Sequence, residues 1–195
     1  MIVIDAEFSG LDSSQHCLLS LGAIDYCNPQ DRFYGECYGW EGATFDPESL
    51  TVNGFLPSAL TDTQKLSPYD LLQSFFTWCK EKENRTIAGH NVWLDREFLV
   101  RTASRVGLPF RPHRIIDLHS IAVGEFMRRG LPIPLRENES ALSASVIYEY
   151  VGLPKEPFPH HALTGALMEA EAFSRILHQK NILPEFAHYP LPKFS

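Results

Sequence analysis

The sequence predicts an α/β domain in which helices cover a mixed β-sheet. Three apolar or β-branched runs at 2–4, 18–26 and 32–39 follow one another and indicate the strands of an antiparallel meander. From Ser67 onward, helical periodicity alternates with short apolar runs, which is typical of a sheet with helices on its faces. With 44% hydrophobic and 12% aromatic residues, the chain can fill one core.

Each later element has a local signal. The predicted elements are a helix from Pro68, a strand at 86–88, a helix over 93–106, a strand at 114–116 and helices over 142–151 and 162–177. Residues 40–67 are rich in Pro, Gly, Thr and Ser and are expected to be irregular. Since neither a repeat nor a linker interrupts the chain, residues 1–195 are expected to form a single domain.

The composition argues against membrane and disulfide-rich proteins. The sequence contains no run of 18 apolar residues, and its first residues enter a strand without a basic leader, so a cytoplasmic protein without membrane contact is expected. Its cysteines, Cys17, Cys27, Cys37 and Cys79, form no CxxC pair. They are therefore expected to be buried thiols rather than zinc ligands or disulfides.

Charge is unevenly distributed along the chain. The net charge of −7 argues against a protein held to nucleic acid by a general positive field. Residues 1–62 carry ten Asp or Glu and only Arg32 as a basic residue, whereas residues 96–136 carry eight Arg. This pattern suits a phosphodiesterase that uses carboxylates for cations and arginines for phosphates. Solvated helix faces would give the same pattern.

The first candidate site lies at the end of the first predicted strand. Side chains alternate with a period of two, so Asp5 and Glu7 project from one face with Cα atoms roughly 6–7 Å apart. Both carboxylates could reach a common hard cation, while the alternative is a strand end whose charges face water. Gly10 would let the backbone pass close to a bound group.

Two further polar segments precede predicted helices. Asn91 and Asp95 are four residues apart and would share one helix face. Each also has a local explanation, Asn91 as a helix N-cap and Asp95 as a charge that favours the helix dipole. His160 and His161 stand in a proline-rich segment directly before the last helix, where either could be an ordinary structural histidine.

Together these segments resemble the histidine-containing branch of the DEDD 3′→5′ exonuclease superfamily, which includes ribonuclease T, oligoribonuclease and the proofreading subunit of DNA polymerase III. Residues 4–11, Ile-Asp-Ala-Glu-Phe-Ser-Gly-Leu, are similar to its first motif. Residues 90–95, His-Asn-Val-Trp-Leu-Asp, are similar to the second, His-Asn-x-x-x-Asp. The third motif, His-x-Ala-x-x-Asp, matches at His160 and Ala162.

The resemblance implies a ribonuclease H-like fold and hydrolysis of single-stranded DNA or RNA 3′ ends to nucleoside 5′-monophosphates. It implies two Mg²⁺ or Mn²⁺ ions, with Asp5 bridging both, Glu7 holding one and Asp95 supporting the cluster. His160 would deprotonate the attacking water. Because relatives include homodimers, self-association is an open expectation.

The resemblance also suggests residues that contact the terminal nucleotide. These candidates are Phe8, Gly10, Leu11, Asn91 and Trp93. Aromatic rings stack on bases of any sequence, which favours Phe8 and Trp93, although burial in the core would explain either ring equally well.

Gly165 departs from the family pattern, because it stands where the third motif has a metal-binding aspartate. Starting the motif at His161 places Ala166 there, so neither register supplies the acid. Glu169, one helical turn onward, could take its place, or the chain could be a weakened relative that binds nucleic acid or protein, or the residue could be a variant. Gly165→Asp is expected to raise activity if the remaining site is competent.

Overall fold

The computed structural model describes residues 1–192. Its strands are β1 (Ile2–Phe8), β2 (Leu18–Asp25), β3 (Arg32–Glu36), β4 (Ile87–Gly89), β5 (Ile115–Asp117), β6 (Leu135–Arg136) and β7 (Glu139–Ser140). Its α-helices are α1 (Pro47–Asn53), α2 (Pro68–Lys80), α3 (Trp93–Arg105), α4 (Leu118–Arg128), α5 (Ala144–Tyr150) and α6 (Ala162–His178). Short 3-10 turns lie at Pro57–Leu60 and Pro184–Phe186.

The main sheet has the strand order β3-β2-β1-β4-β5. The β1–β2 and β2–β3 pairs are antiparallel, whereas the β1–β4 and β4–β5 pairs are parallel. The mixed sheet expected from the sequence is thus confirmed. Because β1 and β4 run in the same direction, their carboxyl ends meet at one edge of the sheet. At this edge, the segment with Asp5 and Glu7 therefore meets the segment with Asn91 and Asp95.

Alternation along β1 decides which side chains face which helices. Ile2 and Ile4 belong to the apolar core beneath α2 and α3, whereas Val3 belongs to the core formed with α4, α5 and α6. The period of two therefore turns Asp5 and Glu7 toward the α6 side of the sheet. The prediction that both carboxylates share one face is confirmed.

The first turn of α6 lies directly on β2. Gly22 is paired with Asp5 across the β1–β2 ladder. A Cβ atom built on Gly22 would lie 2.3 Å from the carbonyl carbon of Ala162 and from the amide nitrogen of Leu163. Any larger residue would push α6 away from the sheet, so this glycine sets how closely α6 approaches Asp5.

Two helices depart from the expectations. Residues 40–67 contain α1, whose N-cap Asp46 accepts hydrogen bonds from the backbone of Glu48 and Ser49. Helix α4 was not expected at all. Its N-cap is Asp117, whose side chain accepts from Ser120 N, and its buried residues, including Leu118, form a narrow stripe.

The cysteine and charge expectations are confirmed only in part. Cys17 and Cys37 are buried, but Cys27 is exposed, so its predicted burial is wrong. Several arginines of 96–136 have structural partners, including Arg101, which pairs with Glu97, and Arg105, which lies over the Trp40 ring. Within residues 1–192, no helix is both long and apolar enough to span a bilayer.

Candidate active site

Carboxylates from four separate stretches of chain gather where β1, α3 and α6 meet. They are Asp5, Glu7, Asp95, Glu156 and Glu169, which we call the acidic cluster. Glu7, Asp95 and Glu169 are buried, although these residue types are rarely buried without a partner. In the described part of the chain, neither a lysine nor an arginine forms a salt bridge with any of the five.

Burial and mutual repulsion disfavour the charged forms of these groups. Burial raises the pKa of Glu7 to about 7 and the pKa of Asp95 to about 8. Burial also raises the pKa of Asp5 well above its ordinary value, and the neighbouring charge of Glu169 raises it further. The pKa of Glu169 is likewise raised by burial and then by Asp95. Without a cation, these groups therefore retain protons at pH values where ordinary carboxylates have lost them, and among residues 1–192 no lysine or arginine pairs with them to favour the charged forms.

The donor chemistry of the cluster fits a hard divalent cation. All five groups offer carboxylate oxygens, the ligands that Mg²⁺ and Mn²⁺ prefer. As they stand, no three His, Cys, Asp or Glu side chains of residues 1–192 converge tightly enough to hold an ion. Repulsion between uncompensated carboxylates favours separation, and a cation would favour closer approach.

Gly165 makes a direct contact with the cluster. A Cβ atom built on Gly165 would lie 2.0 Å from Oδ2 and 2.8 Å from Cγ of Asp5, so the Asp5 carboxylate occupies the space of a missing side chain. An aspartate at this position would fit only if Asp5 turned away. The expected gain of activity in Gly165→Asp stays a prediction, and it depends on that rotation.

Glu169 lies within the cluster, whereas Glu171 does not. Glu169 is buried on α6, and its Oε2 accepts a hydrogen bond from His90 N at 3.0 Å, which ties α6 to the turn after β4. Glu171 instead pairs with Arg175 at 2.9 Å and accepts from the backbone of Leu183. Of these two glutamates, only Glu169 belongs to the acidic cluster, and its compensation for Gly165 stays a prediction.

The turn between β4 and α3 places Asp95 on the cluster. Asn91 has a φ of 51°, in the left-handed region, and the N-cap of α3 is Val92, so the N-cap interpretation of Asn91 is wrong. Val92 N donates to Oδ2 of Asp117 at 3.1 Å, which anchors the turn to β5. Asp95 is buried in the first turn of α3, the position expected for a charge that favours the helix dipole, and it also belongs to the acidic cluster.

The two histidines of the third segment have different surroundings. His160 Nδ1 lies 3.8 Å from Oε2 of Glu156, a member of the cluster, and its backbone N donates to Val52 O. The His161 ring stacks on Tyr34, with centroids 4.4 Å apart. His160 is therefore the histidine at the edge of the cluster, joined to it through Glu156 rather than through Asp5 or Asp95.

The candidate nucleotide contacts lie in different environments. Phe8 is only 8% exposed and its ring stacks on Phe98. It therefore occupies a core position, which is the alternative to stacking on a base. A Cβ on Gly10 would meet the His16 ring at 2.5 Å, so this glycine accommodates His16. Leu11 and Trp93 are 70% and 56% exposed and remain free to contact a ligand.

Asn91 lies in a separate cleft from Leu11. A cavity of about 440 Å³ is lined by Asn91 together with His90, His119 and Arg136, beside the end of β4. A second cavity of about 290 Å³ is lined by Leu11 and Glu7. Both clefts adjoin the cluster, since His90 contacts Glu169 and Glu7 is itself a member.

The local sequence pattern does not indicate Glu156 as a site residue. It lies in the loop between α5 and α6, four residues before His160, and nothing in its local spacing distinguishes it from a solvated surface acid. Tyr148, buried on α5, was also missed, and nearby Glu169 and Glu156 add to the effect of burial in raising its pKa. Only the three-dimensional packing brings these side chains to the site.

The raised pKa values predict an unusual pH dependence for the metal-free protein. Glu7 and Asp95 titrate near 7 and 8 when folded, above the ordinary values of 4.5 and 3.8, so the folded state binds more protons between these limits. We expect the free energy of unfolding in EDTA to rise as pH falls from about 9 to about 6.5. Urea unfolding, monitored by tryptophan fluorescence at each pH, measures this free energy. A flat profile in wild type, or an undiminished slope in Asp95→Asn, would contradict this assignment.

Comparisons with known proteins agree with these features. No family model matches the chain. Ribonuclease T of Klebsiella pneumoniae is 29% identical over 168 residues, which cover 72% of this chain and 77% of that protein. Ribonuclease T of Haemophilus influenzae is 28% identical over 138 residues, covering 62% of this chain and 59% of that protein. The matched segment thus spans little more than half of the Haemophilus protein.

A solved structure shares the fold over the full chain. The nuclease domain of 3′hExo, a DEDDh family member bound to rAMP, superimposes with a TM-score of 0.68, covering 100% of this chain and 96% of that one. At 13% sequence identity this likeness concerns the fold, and it confirms the ribonuclease H-like mixed sheet. The similarity to ribonuclease T confirms the resemblance to the DEDDh 3′→5′ exonuclease superfamily that the three motifs indicate.

Proposed function

We propose that the protein is a metal-dependent 3′→5′ exonuclease that releases nucleoside 5′-monophosphates from single-stranded DNA or RNA. The observation that carries this proposal is the convergence of Asp5, Glu7 and Asp95, from two stretches about 90 residues apart, on one buried acidic cluster. Relatives named ribonuclease T support the same reaction, and the rAMP bound to the 3′hExo domain is a nucleoside monophosphate.

In this proposal Asp5, Glu7 and Asp95 hold Mg²⁺ or Mn²⁺. When bound, such ions acidify a water molecule and offset the charge that develops on the leaving 3′-oxygen. Glu169 adds a fourth carboxylate from α6, the helix that lacks an acid at Gly165. Its contact with His90 N also holds the turn that carries Asp95.

His160 serves as the general base in this scheme. Its side chain is 40% exposed, so it can exchange protons with solvent, and one ring nitrogen faces Glu156. The imidazole accepts the proton of the attacking water, while the carboxylate of Glu156 stabilises the imidazolium that forms. General base catalysis of this kind contributes about 10²–10⁴-fold to the rate.

The 3′-terminal nucleotide would lie between the two clefts that adjoin the cluster. Leu11 and Trp93 offer exposed apolar surface for the terminal bases. The cleft beside Glu7 is also lined by Asp46 and Glu48, so a phosphate can approach only if cations offset these charges. A strict dependence of substrate binding on divalent cations follows.

A direct assay tests the proposal. With millimolar Mn²⁺ or Mg²⁺, we expect a 5′-labelled single-stranded oligonucleotide to shorten stepwise from its 3′ end and nucleoside 5′-monophosphates to appear. EDTA should stop the reaction because the carboxylates then lack their cations. DNA and RNA substrates of equal sequence are compared in parallel. If neither is shortened with either metal, the proposal is wrong.

Gly165 favours a second candidate function, a catalytically degenerate protein that binds nucleic acid or another protein. Because glycine has no side chain, α6 offers no carboxylate at this position, and the Asp5 carboxylate fills the space instead. A protein of this kind would retain a labelled oligonucleotide in a gel-shift assay with Mn²⁺ without changing its length. If the labelled oligonucleotide becomes shorter in that experiment, the second candidate function is excluded.

A further inference from the structure

Glu156 carries a carboxylate that points inward from a surface loop. The loop joins α5 to α6, and the Glu156 side chain is only 13% exposed. Oε2 lies 3.8 Å from Nδ1 of His160, beyond hydrogen-bond distance. Oε1 is buried and has no hydrogen-bond partner. One oxygen of this group therefore lacks any compensating contact.

This arrangement is unfavourable without a ligand. Leaving a buried acceptor unsatisfied costs about 1–3 kcal/mol, and more when the group is charged. A glutamate in a loop could turn into solvent, where water would satisfy both oxygens. The inward orientation becomes favourable if a cation occupies the space that Oε1 faces.

The surroundings of Glu156 indicate where such a cation would lie. The backbone N of His160 donates to Val52 O, and Val52 lines the same cleft as Glu7, so the segment that carries Glu156 and His160 lies beside that carboxylate. The negative charge of Glu156 also raises the pKa of Glu7, in agreement with this placement. At Gly165 the helix contributes no side chain, and the Asp5 carboxylate fills that space. A carboxylate is thus missing from α6 and an additional one arrives from the adjoining loop.

We propose that Glu156 is a further ligand of the divalent-cation site and supplies, from the loop before α6, the carboxylate that Gly165 lacks. This inference rests on the proposed function. Glu169 and Glu156 play separate parts, because one oxygen of Glu169 is already engaged by His90 N whereas Oε1 of Glu156 is unpaired. His160 shares Glu156 with the cation and is thereby held at the edge of the cluster.

Calorimetric titration with Mn²⁺ and thermal unfolding in EDTA test this assignment without an activity readout. Glu156→Gln keeps the shape of the side chain and removes its charge. We expect it to weaken Mn²⁺ binding at least about tenfold and to raise the melting temperature in EDTA, because a buried repulsive charge is lost. A merely structural role would lower the melting temperature instead. Glu149→Gln, at an exposed position on α5, should change neither quantity.

A second variant controls for a folding defect. Glu156→Asp keeps the charge but shortens the side chain, so it should unfold in EDTA as wild type does and still bind Mn²⁺ more weakly. Unchanged affinity in both Glu156 variants, with weakened affinity in Asp5→Asn, overturns the Glu156 assignment and leaves the proposed function intact. Absence of Mn²⁺ binding by wild type overturns both.

Discussion

Asp5→Asn is expected to lower the exonuclease rate by more than about a hundredfold. Mutating even a group that only hydrogen-bonds to a metal ligand lowers metal affinity or activity by ~10–100-fold. Asp5 belongs to the acidic cluster, and after burial the charges of the other four members, Glu169, Asp95, Glu7 and Glu156, raise its pKa. The asparagine keeps the shape of the side chain but cannot offer two anionic oxygens to a cation. Initial rates on the labelled oligonucleotide at saturating Mn²⁺ measure the effect.

The same substitution should stabilise the metal-free protein. It removes a carboxylate whose pKa is raised by burial and by like charges, so the melting temperature in EDTA should rise. Asp62→Asn is a matched control in the loop before α2, where the side chain accepts from Gln64 N and an asparagine oxygen can do the same. Wild-type rates in Asp5→Asn would show that Asp5 has no part in catalysis.

His160→Ala is expected to reduce kcat by about 10²–10⁴-fold, the usual contribution of a general base. His161→Ala should leave kcat nearly unchanged, because its ring is engaged in stacking on Tyr34. The loss of that stacking should cost at most about 1.5 kcal/mol of stability. Single-turnover kinetics of the two variants provide the comparison.

The two histidine variants also test the register of the third motif. The motif fits the sequence at His160 or at His161, and the structure brings only His160 within 4 Å of an acid of the cluster. A larger loss of kcat in His161→Ala than in His160→Ala would contradict the assignment of the base. His160→Asn, which keeps a polar side chain of similar size, distinguishes lost proton transfer from a disturbed loop.

Much of the fold could be predicted from local patterns in the sequence. The period of two along β1 correctly placed Asp5 and Glu7 on one face, because strand alternation is a property of the backbone. Helix α4 was missed, since its buried residues form a narrow stripe and its N-cap, Asp117, also serves the neighbouring turn by accepting from Val92 N. That second bond joins residues far apart in sequence.

The candidate site could be predicted only as far as its motifs extend. The direct contact between Asp5 and Gly165 depends on how closely α6 lies on β2, which Gly22 permits. The position of Glu156 depends on the course of the loop before α6, and short-range spacing does not determine it. The third motif therefore indicates the missing acid at Gly165 but not Glu156, the glutamate that we propose in its place.

An anomalous difference map from crystals soaked in Mn²⁺ tests the metal site most directly. We expect at least one strong peak at about 2.1 Å from a carboxylate oxygen of Asp5 and from a second carboxylate of the acidic cluster. The Asp5 side chain should turn away from Gly165 toward the ion. A map with no peak among Asp5, Glu7 and Asp95 at millimolar Mn²⁺ would contradict the assignment of this cluster as a divalent-cation site.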